Sequence, residues 1–372
     1  MKILIAGDFC PQHRVATAFE KNDFTSVLEE VKNLTSKVDY SIVNFECPIG
    51  LKGTQPIEKQ GPNLCCDSKA VSAIKYAGFD CVTLANNHFR DFGHASCLMT
   101  MKEIKDNGLD YVGGGENLTD AARILYHKTD RERIAIINCC EHEFSVASDK
   151  EAGSNPLNPI KQYNAIREAR KNADYVLVIV HGGHEHFQLP SPRMIETYRF
   201  FIDVGADAVI NHHQHCFSGY DIWNDKPIFY GLGNFCFDNP NKHSGIWTEG
   251  YMVTIDFHPE KVVFQIHPYK QCTEKGNVEL LPSDYFDDRI SDLNRIIADP
   301  VKLNKEIDMY YKSCQDKYSS IFEPCRNRFY LAARRRGWLP SLIGKKRRVS
   351  AANYILCESH RDKLIHWLSS NN

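Results

Sequence analysis

Three histidines follow an apolar run in the segment Gly205–Cys216, which reads GADAVINHHQHC. His212, His213 and His215 stand where a buried strand would end. Imidazole nitrogens bind divalent ions such as Zn²⁺, Mn²⁺ and Fe²⁺, but buried histidines also pack in protein cores without any ligand. This segment is therefore compatible with a metal site or a packed cluster, and other parts of the chain must decide between them.

Polar side chains also follow four other apolar runs of the chain. They are Asp8, the pair Asn44 and Glu46, the group Asn87, His88 and Asp91, and the pair His181 and Glu185. Because functional residues gather at the carboxyl ends of parallel strands, we expect these side chains to lie close together. Their nitrogen and oxygen ligands favour Mn²⁺, Zn²⁺ or Fe²⁺. A pair of such ions supplies the chemistry of hydrolysis at a phosphoester or a similarly charged group, and a carboxylate such as Glu46 could bridge them.

Short runs rich in Val and Ile predict the strands that position these side chains. The predicted strands are Lys2–Ala6, Tyr40–Phe45, Cys81–Leu84, Arg133–Asn138, Tyr175–Val180, Ala208–Asn211 and Pro227–Tyr230. Amphipathic segments with helical spacing separate several of them, and the stretch GYMVTIDFHPEKVVFQIHPY predicts an antiparallel hairpin. The alternation of strands and helices indicates an α/β domain with a substantial sheet.

The composition limits the classes of protein to which the chain can belong. Its 372 residues carry a formal net charge of −2, which gives no indication of a specific nucleic-acid partner. We expect neither a signal peptide nor a membrane anchor, because the opening segment MKILIAGDFC has only four apolar residues between Lys2 and Gly7. The fourteen cysteines include no CxxC pair, so we expect reduced thiols and a cytoplasmic protein. Peripheral association with a membrane complex stays open.

The strand pattern stops towards the C-terminus. We therefore predict a main domain over residues 1–275 and a mainly helical, basic extension over residues 276–372. Within the extension, Arg326–Arg348 holds nine Lys or Arg and no acid, interleaved with Phe329, Tyr330 and Trp338. This segment is either a solvated helical face or an electropositive patch for an anionic polymer, a lipid surface or an acidic partner.

The motifs GD, NFECPI, LANNHFRDFG, HGGHEHFQLPSP and GADAVINHHQH…KPIFYGLGNFCFD occur in this order. Together they resemble the CapA family of capsule and poly-γ-glutamate synthesis proteins, within the calcineurin-like metallophosphatase superfamily. The resemblance covers roughly residues 1–260. It implies a two-sheet sandwich flanked by helices (α-β-β-α) and a centre with two divalent metal ions.

The resemblance also assigns roles to individual residues. The implied metal ligands are Asp8, Glu46, Asn87, His181, His213 and His215. His88 would protonate the leaving group, and Asp91 would orient the His88 imidazole. We expect Asn44 and Glu185 to contact the substrate. On an extended backbone His213 and His215 would share one face and His212 would point the other way, which makes His212 the least suited of the three to bind metal.

Three departures from the superfamily pattern bear on activity. The first motif is Asp8-Phe9-Cys10 instead of D-x-H, and Cys10 is either a ligand for a softer ion or a buried apolar residue. The bridging acid comes from N-x-E instead of G-D-x-x-D. His212 stands where glycine is usual, and Gln214 stands where this family often has proline.

Three functions remain open from the sequence. The first is a metal-dependent hydrolase in surface-polymer synthesis that acts on a phosphoester or on an amide of an anionic polymer. The second is a non-catalytic accessory subunit of a polymer synthase or export complex. The third is a general phosphodiesterase or nucleotidase with no role in capsule formation.

Overall fold

The computed structural model describes residues 1–319 and 327–356. The strands are β1 (Lys2–Phe9), β2 (Tyr40–Phe45), β3 (Cys81–Thr83), β4 (Asp110–Val112), β5 (Gly114–Gly115), β6 (Leu125–Lys128), β7 (Arg133–Cys140), β8 (Gly153–Ser154), β9 (Tyr175–His181), β10 (Ala208–His212), β11 (Tyr220–Trp223), β12 (Lys226–Phe229), β13 (Asn234–Cys236), β14 (Glu249–His258), β15 (Lys261–Gln271) and β16 (Val278–Leu280). The helices are α1 (His13–Glu20), α2 (Thr25–Thr35), α3 (Lys69–Tyr76), α4 (Gly93–Asp106), α5 (Leu118–Ala121), α6 (Pro159–Asn172), α7 (Pro192–Asp203), α8 (Asp287–Ile297), α9 (Pro300–Ser319), α10 (Arg328–Arg335) and α11 (Lys345–Leu356).

Two large sheets hold most of the strands. The first has the order β16-β15-β14-β1-β2-β3-β4, with β13 also paired to β1, and the second has the order β11-β12-β10-β9-β7-β6. The central strands β1, β2, β3 and β4 run parallel to one another, as do β7, β9, β10 and β12. Each sheet therefore gathers the carboxyl ends of its central strands at one edge.

The two sheets pack face to face because their central strands carry apolar side chains on both faces. Along β1, Ile3 and Ile5 belong to a buried cluster with β9 and β10 residues such as Ile179 and Ile210. The alternate residues Leu4 and Ala6 belong to a second cluster with helices α1 to α4. Helices α6 and α7 contact the second sheet. The layers are α-β-β-α, as expected from the sequence.

The predicted strands agree with the structure to within a few residues at each end. The predicted hairpin is the pair β14 and β15, joined by a tight turn at Pro259-Glu260. The chain divides into two compact units, Met1–Leu303 and Asn304–Asn372. Strand β16 and helix α8 lie in the first unit, although they follow residue 275. The predicted division into a main domain over residues 1–275 and an extension over residues 276–372 stays a prediction.

None of the described helices is long and apolar enough to cross a lipid bilayer.

Candidate metal centre

The chemically active side chains stand at the carboxyl ends of strands in both sheets. Asp8 lies near the end of β1 and Glu46 directly follows β2. Asn87 and His88 lie in the loop after β3, His181 ends β9, and His213 and His215 follow β10. The edge shared by the two sheets thus brings together all six side chains that the sequence analysis named as metal ligands.

One group forms around His181, whose side chain is buried. Its Nε2 lies 3.1 Å from His213 Nδ1 and 3.6 Å from Glu46 Oε1. Ligand atoms of these three residues all lie within 4.8 Å of one another. The Asn87 amide oxygen lies 3.0 Å from the same Nε2 atom, so it is available as a fourth ligand.

A second group contains Asp8, Glu46 and His215, again with ligand atoms within 4.8 Å. His215 Nδ1 lies 3.6 Å from Asp8 Oδ2, and His215 Nε2 lies 3.8 Å from Glu46 Oε1. Glu46 is common to both groups. This arrangement fits a carboxylate that bridges two ions, which is the role the resemblance implied for Glu46.

The electrostatics of the cluster favour an added cation. Burial raises the pKa of Asp8 to about 7, and burial together with the nearby Asp8 raises the pKa of Glu46 well above its usual range. Burial and the neighbouring imidazoles hold the pKa values of His181 and His215 well below the usual range. Neutral imidazoles are the form that binds metal, and a cation would stabilise both carboxylates in their charged form.

Glu46 gives the clearest sign that the site fits a metal. Its side chain is fully buried, and within the described ranges neither carboxylate oxygen has a hydrogen-bond partner. A buried carboxylate without partners costs free energy unless a cation or donors compensate it. The residues present therefore fit a divalent ion, and they supply the nitrogen and oxygen ligands that such ions prefer.

The backbone after β10 differs from the extended chain assumed in the sequence analysis. His213 has φ 93° and His215 has φ 56°, both in the left-handed region that non-glycine residues rarely adopt. Such conformations cost about 1–3 kcal/mol each and cluster at functional sites. The prediction that His212 points away from His213 and His215 assumed an extended backbone, and this assumption is wrong.

His212 instead pairs with His181 in the parallel register of β9 and β10, so both side chains leave the same face of the sheet. Its Nδ1 lies 3.6 Å from Asp8 Oδ1, and neither ring nitrogen has a hydrogen-bond partner among the described residues. Burial lowers the pKa of His212 to about 3, which keeps the ring neutral. His212 thus lines the centre, although it lies outside both ligand groups.

Two buried amides orient the candidate ligands. Asn44 Nδ2 donates to Asp8 Oδ1 at 2.7 Å and lies 3.3 Å from His181 Nδ1. Asn234 Oδ1 lies 2.9 Å from His215 Nδ1. These contacts fit Asn44 as a residue that positions two candidate ligands, and the substrate contact predicted for it stays a prediction. Asn234 was missed, although it stands in the quoted motif GLGNF.

The motif GLGNF brings Asn234 to the centre because its glycines allow a close approach between β1 and β13. A Cβ atom at Gly7 would lie 2.0 Å from the Gly233 carbonyl oxygen, and Gly233 itself has φ +84°. The Asp8 amide donates to that same oxygen at 3.1 Å. Side chains at these glycines would therefore separate Asp8 from Asn234.

Three polar side chains beside the centre contact one another: His88, Asp91 and Lys59. His88 Nδ1 lies 2.6 Å from Asp91 Oδ2, as expected for a carboxylate that orients an imidazole. The ammonium of Lys59 bonds to the other oxygen of Asp91 and lies 3.1 Å from His88 Nδ1. The Lys59 side chain is only 3 % exposed. Lys59 could not be predicted from the sequence, since it lies in a long irregular loop and follows no strand.

Replacing Lys59 by methionine should lower the free energy of unfolding by about 3–5 kcal/mol, because Asp91 would stay buried without its cation. The double variant Lys59→Met/Asp91→Asn should recover much of this loss, since it removes both charges. Urea denaturation of the metal-free protein measures both effects. Lys102→Met, in an exposed pair with Asp106, is the control and should leave the free energy of unfolding essentially unchanged. A Lys59→Met protein as stable as wild type would contradict the role given to this pair.

Two other residues named from the sequence lie outside the ligand groups. Cys10 is buried in the apolar cluster beneath the helices, and Gln12 Nε2 donates to its sulfur at 3.5 Å. Burial raises the pKa of the Cys10 thiol, which disfavours the thiolate that a metal requires. Glu185 is exposed near the centre, where substrate contact stays a prediction.

This architecture is the one that the resemblance implied: two packed sheets with acidic, amide and imidazole side chains at one edge. The family described as "Bacterial capsule synthesis protein PGA_cap" matches residues 2–239, so the chain belongs to this family. The match ends after Asn234, and it includes every predicted ligand.

Curated relatives agree with this assignment. The chain is 33% identical over 246 residues to "Capsule biosynthesis protein CapA" of Bacillus anthracis, covering 64% of this chain and 60% of the relative. It is 31% identical over 281 residues to "PGA biosynthesis protein CapA" of Bacillus subtilis (strain 168), covering 75% of this chain and 70% of the relative. The chain thus spans less than two thirds of the first relative's length.

Among solved structures, the chain is similar to a phosphatase from Mycoplasma pneumoniae. The two are 14% identical, the TM-score is 0.46, and the match covers 74% of this chain and 95% of the other. This is a distant similarity of fold, and the function proposed below does not rest on it.

Proposed function

We propose that this chain is a metal-dependent hydrolase in the synthesis of capsule, poly-γ-glutamate or another surface polymer. It would act on a phosphoester or on an amide of an anionic polymer. The observation that carries the proposal is Glu46, a fully buried carboxylate without hydrogen-bond partners that both candidate ligand groups share. Membership of the capsule synthesis family supports the biological setting.

Each side chain of the centre has a defined part in this proposal. Asp8, Glu46, Asn87, His181, His213 and His215 would hold two divalent ions, of which Mn²⁺, Zn²⁺ and Fe²⁺ suit the ligands. When bound, such ions lower the pKa of water and stabilise charge on the reacting oxygens. Asn44 and Asn234 hold Asp8 and His215 in place through their amides.

His88 is placed to give a proton to the leaving group. Its Nδ1 faces Asp91, so Nε2 is the ring nitrogen available to the substrate. Only a small part of its side chain is exposed, which limits the access of bulk water to the proton. Asp91 is itself fixed by Lys59 and by the Leu64 amide, which donates to Oδ2 at 2.7 Å. The chain of contacts therefore holds the His88 ring in one orientation.

A substrate screen tests the proposal. Purified protein would be incubated with Mn²⁺, Zn²⁺ or Fe²⁺ and offered phosphomonoesters, phosphodiesters and γ-linked glutamate oligomers. We expect turnover of at least one class, with loss of turnover on adding a chelator and recovery on restoring the metal. Metal-independent turnover would contradict the dependence on metal, and no turnover with any substrate would contradict hydrolysis.

The second candidate is an accessory subunit that keeps the metal but does not catalyse. The position of Cys10 favours the accessory subunit. Cys10 replaces the histidine of the D-x-H motif, and it lies in the apolar core, so this motif supplies no imidazole to the centre. This candidate predicts stoichiometric metal binding together with no turnover in the substrate screen. A cytoplasmic location and a polymer synthase or export complex as partner stay predictions for both candidates.

The basic segment supplies a separate partner proposal. Arg326 lies outside the described residues, whereas the remainder, 327–348, is described. Phe329 is 76% exposed and Trp338 is 71% exposed among the arginines. Exposed aromatic side chains beside basic ones are typical of segments that bind the surface of an anionic membrane. We therefore favour a lipid surface over the other two partners considered from the sequence.

Neutralising part of this segment should weaken binding to vesicles. The variant carries Ala at Lys345, Lys346, Arg347 and Arg348, and its control carries Ala at the exposed Lys21, Lys37, Lys52 and Lys102. In phosphatidylserine-containing vesicles at low salt, we expect at least about tenfold weaker binding for the variant and an unchanged control. Wild-type binding should also vanish near about 0.5 M salt through screening. Salt-independent binding, or equal binding by both variants, would contradict the proposal.

A further inference from the structure

A lysine ammonium lies beside the metal centre without a carboxylate partner. Lys242 Nζ lies 4.0 Å from the centre of the Trp247 ring and 3.4 Å from His186 Nε2. Over residues 1–319 and 327–356, no carboxylate oxygen lies within 4.0 Å of this ammonium, which is the distance limit for an ion pair. Its positive charge is held by an aromatic face and an imidazole, which leaves its donors available to an anion.

Trp247 connects this ammonium to the candidate ligands. Its ring is buried and lies 5.2 Å from the ring of His215, centre to centre. Its indole nitrogen donates to the Phe237 carbonyl at 3.1 Å, which fixes the plane of the ring. A single aromatic ring therefore separates Lys242 from a residue of the second ligand group.

His186 forms the other wall beside the ammonium. Its backbone has φ 60°, and its amide donates to the Gln214 carbonyl at 2.8 Å, which ties it to the segment of His213 and His215. Its ring lies 5.9 Å from that of His215 and 5.6 Å from that of Trp247. His186, Trp247 and Lys242 thus form one contiguous edge beside His215.

Charge considerations indicate what this edge binds. Burial lowers the pKa of Lys242 from its usual value, so an anion at this position would offset part of the cost of the charge. Glu185 is the nearby acid, and it acts on Lys242 from outside ion-pair distance. An ammonium with free donors beside two metal-binding groups suits the oxyanion of a substrate.

We propose that Lys242, stacked on Trp247 beside His186, binds an anionic group of the substrate, a phosphate or a carboxylate, next to the reacting bond. The inference deepens the proposed function, on which it rests for the position of the reacting bond. It names Lys242 as a residue that selects anionic substrates.

Calorimetric titration with inorganic phosphate, with and without Mn²⁺, measures how much the charge of Lys242 contributes to phosphate affinity. Lys242→Met should weaken phosphate binding about five- to tenfold, and Lys242→Arg should keep most of it, because a charged donor remains. Lys128→Met, an exposed lysine on β6, is the matched control and should bind like wild type. Metal content should be the same in all four proteins.

A second titration with a γ-linked glutamate oligomer separates the two sources of the anion. Loss of affinity in Lys242→Met for phosphate alone supports a phosphoester substrate, and loss for the oligomer alone supports a polymer carboxylate. Unchanged affinity for both anions, or no binding of either by wild type, overturns the inference. If Lys242-dependent binding persists in a protein that takes up no metal, the inference stands and the proposed function fails.

Discussion

Replacing Glu46 with glutamine is expected to weaken Mn²⁺ binding at least about tenfold and yet to stabilise the metal-free protein. The two effects have opposite signs because one carboxylate serves both candidate ligand groups but has no hydrogen-bond partner of its own. Without metal, burial and the nearby Asp8 oppose ionisation of this carboxyl, which costs free energy at any pH where the unfolded chain would ionise it. With metal, the same carboxylate would be charged and would contribute to both candidate ligand groups.

The direction of the pH dependence follows from the raised pKa of Glu46. In the folded metal-free protein the carboxyl resists ionisation, so wild-type stability is highest below the unfolded-state pKa and is lost as pH rises from there through the raised folded-state pKa. The gain from Glu46→Gln should therefore be on the order of 1 kcal/mol at about pH 8 and absent at about pH 4. Thermal or urea denaturation of chelator-treated protein at both pH values measures it.

Asp238→Asn is the matched control for this experiment. Asp238 is an equally buried acid, but Arg14 pairs with it at 2.5 Å. Its loss should therefore destabilise the protein with and without metal and leave Mn²⁺ affinity unchanged. A Glu46→Gln protein that is less stable than wild type in both states, and that still binds Mn²⁺ normally, would contradict the bridging role.

Removing the His88 imidazole should lower the turnover of an alkyl phosphoester by about 100- to 10,000-fold, the range typical of a general acid. The reason is that an alkoxide is a poor leaving group and needs the proton that His88 holds towards the substrate. A nitrophenolate leaves without a proton, so His88→Ala should have a much smaller effect on a nitrophenyl phosphoester. Comparing kcat for the two substrates measures the difference.

Asp91→Asn provides the second arm of this experiment. It keeps the shape of the side chain that orients His88 but removes its charge, and it is combined with Lys59→Met so that no buried ammonium is left without a partner. We expect a smaller loss than in His88→Ala with the same dependence on the leaving group. Metal content in both variants should match wild type. Equal losses on the alkyl and nitrophenyl substrates would show that His88 acts through something other than proton donation.

Much of the fold could be predicted because the core strands carry strong local signals. The run Tyr40–Phe45 was predicted with the bounds that β2 has in the structure. The two-residue strands β5 and β8 could not be predicted, since so short a segment has no periodicity. Their pairing depends on the tertiary packing of the loops in which they lie.

The candidate site shows the same division. Asp8, Glu46 and His181 could be found because strand ends in a parallel sheet share one edge. The direction of His212 could not, because it follows from its pairing with His181 in the register of β9 and β10, whereas the prediction assumed an extended chain continuing through His213 and His215. Lys59 reaches Asp91 from a loop without repeating structure, so its spacing carries no information about its partner.

Electron paramagnetic resonance of the Mn²⁺-loaded protein tests the central claim most directly, because it reports whether two ions share a bridging ligand. Wild-type protein, loaded with Mn²⁺ and freed of excess metal, should give the spectrum of two exchange-coupled ions. Glu46→Gln should lose that coupling. A wild-type sample that retains no Mn²⁺ after removal of the excess, or that holds only isolated ions, would contradict a dinuclear centre built on Glu46.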